Sequence, residues 1–132
     1  MNQSPSPATQ RASASVSLLP WSAQLQQLEL QLNEVESALR GVRFAILRSQ
    51  RLRDRLRSLL QDLRAANPAN IYQAQIQAVA DTVEATKQLF DMLSRITVFD
   101  YFVSPKTWND DILRLSRNIA VCRREIRVRA SI

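Results

Sequence analysis

The apolar residues that follow Trp21 restrict this chain to helices. Leu25, Leu28, Leu32, Val35, Leu39, Val42 and Ile46 recur at intervals of three and four, which places them on one stripe of an α-helix. A second stripe runs through Val42, Ala45, Ser49, Leu52, Leu56, Leu59 and Leu63. The two share Val42 and then diverge beside Gly41, the only glycine in the chain and a residue that weakens a helix. A turn within 40–45 therefore separates two helices, unless one long helix bends there. With a single glycine and little β-branched alternation, strands are not expected.

AANPAN at 65–70 closes the second helix, because the residue before a proline is steered out of the helical region. Asn67 can cap the next helix, with Pro68 in its first turn. Tyr72, Ile76, Val79, Val83, Thr86, Phe90 and Leu93 then form a third stripe. ITVFDYFV at 96–103 is apolar and aromatic without a helical period, and is expected to be a connector that packs inward. Ser104 and Pro105 start a fourth helix, with Trp108, Ile112, Leu115, Ile119, Cys122 and Ile126 on its stripe. Four amphipathic helices joined by short connections predict an all-α four-helix bundle. Its helices are expected near 21–40, 43–65, 68–94 and 105–128 of a domain over 21–128. A serine- and proline-rich leader over 1–20 is expected to be disordered, and 129–132 form a tail.

Charge is distributed unevenly over these helices. Residues 40–64 hold eight arginines against two aspartates, a net charge of +6, and residues 101–132 hold seven cations against three acids, a net of +4. The segments 1–39 and 70–100 each come to −2. On a wheel at about 100° per residue, Arg53, Arg57 and Arg64 flank one edge of the second helix's leucines, and Arg48, Arg51 and Arg55 the other. Arg43 lies toward the back, and Phe44 and Leu47 fall among the arginines. Apolar residues within a basic face suit an interfacial helix. A solvated face paired with neighbouring acids explains the arginines as well, and Phe44 and Leu47 could equally pack under the leader or against another helix.

The residues for chemistry are missing. The chain has no histidine and one cysteine, which removes the usual general base and the usual soft metal ligands. Cys122 falls on an apolar stripe and reads as a core residue. Asp110 and Asp111 sit near a helix start, where the helix dipole accounts for them. One glycine cannot build a phosphate-cradling loop. Neither catalysis nor a cofactor is expected. Nucleic acid is disfavoured as a partner, because no aromatic-interleaved platform or DNA-reading motif is present. The lone cysteine excludes an intramolecular disulfide and suits a cytoplasmic protein. No run approaches the roughly 18 apolar residues of a transmembrane helix.

RSQRLRDRLRSLLQDL at 48–63, the preceding EVESALRGVRFAIL, the helix from Ile71 to Leu93 and FDYFVSPKTWNDDILRLSRNIAVCRREI together resemble one domain type. It is the N-terminal four-helix bundle of mixed-lineage kinase domain-like proteins and their plant and fungal relatives, related to the Cbl N-terminal and HeLo-like domains. The resemblance spans about 21–128. It implies a non-enzymatic signalling or executioner module of programmed cell death or innate immunity. Such a module self-associates on activation and engages phosphoinositides at the plasma membrane. It also implies a kinase or pseudokinase domain in the same or another chain. Arg43, Arg48, Arg51, Arg53, Arg55 and Arg57 are the lipid-contacting candidates it carries over, with Phe44 and Leu47 added from the wheel. The alternative is an adaptor or scaffold bundle that binds a partner protein without membrane activity.

Overall fold

The computed structural model describes residues 20–103 and 105–130. Over these the chain is all-α, with five helices and no strand: α1 Trp21–Arg40, α2 Ile46–Ala65, α3 Gln73–Arg95, α4 Val98–Val103 and α5 Pro105–Ala130. All but one residue of the expected leader lie outside the described residues, as does Ser104. The first two residues of the expected tail, 129 and 130, continue α5.

The turn between α1 and α2 is built differently from its sequence signal. Gly41 keeps a helical-region φ of −86°, and its N–H and that of Val42 close the last turn of α1 on Ala38 and Leu39. The left-handed residue is Ala45, at φ 56°, although a Cβ there costs roughly 1–2 kcal/mol. Val42 is buried, and this kink delays the start of α2 to Ile46, past the expected 43. Ile46 belongs to the first apolar stripe but lies beyond the kink, and is exposed. Gly41 is where α1 and α3 approach each other, since a Cβ on it would stand 3.3 Å from the Cβ of Ser94.

Asn67 does cap, but it caps a single 3-10 turn over Pro68–Asn70, its Oδ1 accepting the Ala69 N–H at 3.1 Å. Ile71 then drops into the core with extended backbone, which interrupts the helix expected from 68. α3 restarts at Gln73, where the Gln75 side chain accepts the Tyr72 N–H at 2.9 Å.

The connector 96–103 departs furthest from expectation. Thr97 Oγ1 accepts the Asp100 N–H at 3.1 Å and starts the short helix α4. In a helix of six residues only one face can turn inward, and Tyr101 takes it. Val98, Phe99, Phe102 and Val103 are left outside, the two phenylalanines 72% exposed. The connector therefore does not pack inward, apart from Tyr101 and the half-buried Ile96.

α1 packs on α2 and α3, and α5 packs on the same two helices. The fully buried line through this arrangement comprises Leu28 and Val35 of α1, Leu52, Leu56, Leu59 and Leu63 of α2, Val79, Phe90 and Leu93 of α3, and Leu115, Ile119 and Ile126 of α5. These are stripe residues of the sequence pattern. Thr82 and Thr86 are buried beside them without cost in unpaired hydroxyls, because each donates to the carbonyl one turn back at 2.8 Å. Cys122 is half-buried at the edge of the core, and burial pushes its thiol above the ordinary value, so it remains protonated at neutral pH. Among the described residues no helix is long and apolar enough to cross a membrane, and no group of acids and cysteine could hold a metal ion.

Candidate anion-binding face

The two basic helices lie side by side. Arg48 near the start of α2 bonds Asn109 near the start of α5. Farther along, Asp62 of α2 accepts from Arg123 at 2.8 Å and from Arg127 at 3.3 Å. Contacts in this order mean that α2 and α5 run parallel. Residues 48, 55 and 62 are seven apart, so they share the line of α2 that faces α5.

The acidic complement of α2 comes from α1, on its other edge. Arg57 donates to Glu36 along one edge of its guanidinium, from Nη2 at 2.5 Å and Nε at 3.1 Å, and Arg53 reaches the same carboxylate at 3.2 Å. Arg64 pairs with Glu29. The Arg57 hydrogen bond, with the positive fields of Arg57 and Arg53, holds the Glu36 carboxyl below its ordinary value against the opposing effect of partial burial. A folded-state pKa that is depressed contributes stability above the unfolded value and loses it as pH falls through the folded one. Replacing Glu36 by Gln should therefore lower the melting temperature at pH 7, with the gap to wild type closing as pH drops below the usual glutamate range. Thermal melts of both proteins at pH 7 and about pH 3 check this.

The candidate arginines thus divide into two sets. Arg53 and Arg57 face α1 and are held by Glu36. Arg43, Arg51 and Arg55 are exposed and have no hydrogen bond or ion pair among the described residues, and Arg48 meets only a neutral amide. Lys106, Arg117 and Arg124 of α5 are likewise exposed without an acidic partner. On the α5 wheel these three fall within about 20° of one another, on the side away from the core. Only Asp62 offsets charge within the α2–α5 seam. Asp110, one turn after Lys106 on the same face, is the one acid among them and makes no ion pair among the described residues. This side of the molecule therefore holds an excess of cations that the fold does not pair, and an external polyanion would relieve their mutual repulsion.

The two apolar candidates also separate. Phe44 is half-buried and stacks on Tyr101 with ring centroids 4.7 Å apart; Tyr101 in turn stacks on Trp108 at 5.0 Å. Leu47 is 69% exposed. The three stacked rings join the start of α2, α4 and the start of α5 at one end of the molecule. A cleft lined by Arg43, Phe44, Leu47, Arg48, Tyr101 and Trp108 runs along one side of the stack. A second, with Arg95, Asp100 and Trp108 in its wall, runs along the other. The exposed residues of α4 belong to this end, and the sequence reading missed them. Their signal was present in the Thr97–Tyr101 spacing and the Thr97–Asp100 cap, which a search for longer periods passes over.

No family model, curated protein or solved structure matches the chain. The likeness to mixed-lineage kinase domain-like bundles accordingly rests on the sequence pattern quoted above.

Proposed function

We propose that the four long helices form a non-enzymatic four-helix bundle that self-associates and binds anionic membranes, phosphoinositides included. The observation that carries this reading is the parallel placement of α2 and α5, which collects Arg51, Arg55, Lys106, Arg117 and Arg124 on one side without acidic partners. Each such cation near an anionic leaflet contributes about 1 kcal/mol, so a handful suffices for reversible recruitment. The proposed setting is a cytoplasmic protein drawn to the plasma membrane in a regulated cell-death or defence pathway, with a kinase or pseudokinase domain in the same or another chain. That setting rests on the family resemblance alone.

Liposome co-sedimentation with a leakage readout tests it, using neutral, phosphatidylserine and phosphoinositide vesicles at two salt concentrations. The expected result is binding that requires anionic lipid and weakens with salt, together with leakage. Binding without leakage assigns recruitment rather than execution. Absence of binding to every vesicle leaves the adaptor reading, which the exposed apolar α4 would then serve by docking a partner protein.

A further inference from the structure

The end of the molecule that carries α4 has a composition of its own. Gly41 against Ser94 puts the C-termini of α1 and α3 together there, and the Phe44–Tyr101–Trp108 stack adds the starts of α2 and α5. Leu47, Val98, Phe99, Phe102 and Val103 all stand more than half exposed at this end. Around them are Arg40, Arg43, Arg95 and Lys106, none with an ion pair or hydrogen bond among the described residues. The acids nearby are fewer. Asp91 is engaged by Lys87 and Asp111 by Arg114, which leaves Asp100 and Asp110 without a cation.

Resting on the membrane reading above, we propose that α4 is a wedge that enters the headgroup and upper acyl region of an anionic leaflet. Phe99 and Phe102 are its leading side chains, and Arg40, Arg43, Arg95 and Lys106 meet lipid phosphates around it. Tyr101 of α4 lines one cleft and Asp100 the other, while its four apolar side chains stand outside the packing, an arrangement that suits a fluid layer able to deform around them. A helix is about 10 Å across with its side chains, which matches the 5–10 Å that interfacial elements enter. The ring stack beneath orders α4 before contact, so little conformational entropy is lost on insertion.

Charge selects lipid over the other occupants. A second copy docking tip to tip would set four unpaired cations and two unpaired acids against the same set, a net positive charge on each side, which repels. The chain before α1 has Arg11 as its one charged side chain, so it brings no negative charge to the rim.

The test places an environment-sensitive fluorophore on the full chain through Phe102→Cys, in a Cys122→Ala background, with Glu34→Cys on α1 as the control position. Phosphatidylcholine vesicles with and without phosphatidylserine are the probes. The expected result is a several-fold rise in emission at position 102 on anionic vesicles, quenched by brominated acyl chains, and no change at position 34. The unlabelled double variant Phe99→Ser/Phe102→Ser should partition at least about a hundredfold more weakly while melting within a few degrees of wild type, since both residues lie outside the core and Phe102 gives up only its edge contact with Tyr101. An unchanged label on vesicles that still sediment the protein would overturn the wedge and leave the α2–α5 side as the whole contact. A rise in emission with protein concentration alone would overturn it in favour of a second copy covering the tip. If no vesicle binds the wild type, wedge and membrane reading fall together.

Discussion

Reversing Arg51 and Arg55 to glutamate should weaken partition to phosphatidylserine vesicles by about a thousandfold at low salt. Two cations become two anions, a change of four charge units, and each unit near the leaflet is worth about 1 kcal/mol. Neither side chain has a partner to lose, so the fold should be untouched, with a far-UV spectrum and melting temperature close to wild type. Arg57 supplies the contrast on the same helix. Its guanidinium is committed to Glu36, and Arg57→Gln should lower the melting temperature while leaving vesicle binding nearly intact. If Arg51→Glu/Arg55→Glu bound as tightly as wild type, the anionic surface would have to be met elsewhere. If Arg57→Gln abolished binding without loss of stability, the division of the arginines into paired and free sets would be wrong. Raising salt to about 0.5 M should shrink the difference between the double variant and wild type, because exposed charges are screened within a few ångströms at such ionic strength.

That the described residues fold as helices can be read from spacing alone, since a three-four recurrence of leucine has no other geometric meaning over twenty residues. The same spacing identifies Leu56, Leu59, Phe90 and Ile119 as interior positions, and all four are fully buried. Wheel positions also divide the α2 arginines into two edges. What they could not indicate was which edge meets an acid. That depends on whether α1 or α5 lies alongside, and neighbour choice is a property of the assembled helices rather than of any one of them. The side-by-side placement of α2 and α5 was hidden for the same reason, although the basic excess of each was plain. Ala45 misled in another way. A left-handed turn is normally signalled by glycine, and here the glycine four residues earlier serves a close approach to Ser94 while alanine takes the unusual backbone. α4 escaped because six residues are too few for periodicity to separate a helix from a loop. The residues that matter most for the proposed wedge were thus those for which local pattern is weakest.

Phe90→Ala should cost about 3–5 kcal/mol of stability and lower the melting temperature by more than about 10 °C. Phe90 is the largest fully buried side chain in the core, and its removal leaves a void that close-packed neighbours cannot refill. Leu47→Ala, on the exposed surface of α2, should change stability by less than about 0.5 kcal/mol. Urea unfolding of both variants gives the comparison directly. A Phe90→Ala protein as stable as wild type would mean that the helices do not close on this side chain as described.

The same variant separates two ways in which a bundle can act on a membrane. A folded bundle that docks through its arginines and α4 has neither touched by Phe90→Ala. At a temperature where both proteins are folded, their partition and leakage should then be equal. A bundle that must part its helices on the lipid would find opening easier by the stability that Phe90→Ala removes. Its binding or leakage should then exceed wild type by up to the corresponding factor, about tenfold for each 1.4 kcal/mol. The unpaired cations and the exposed α4 are already available in the closed molecule, so equality is the expected result.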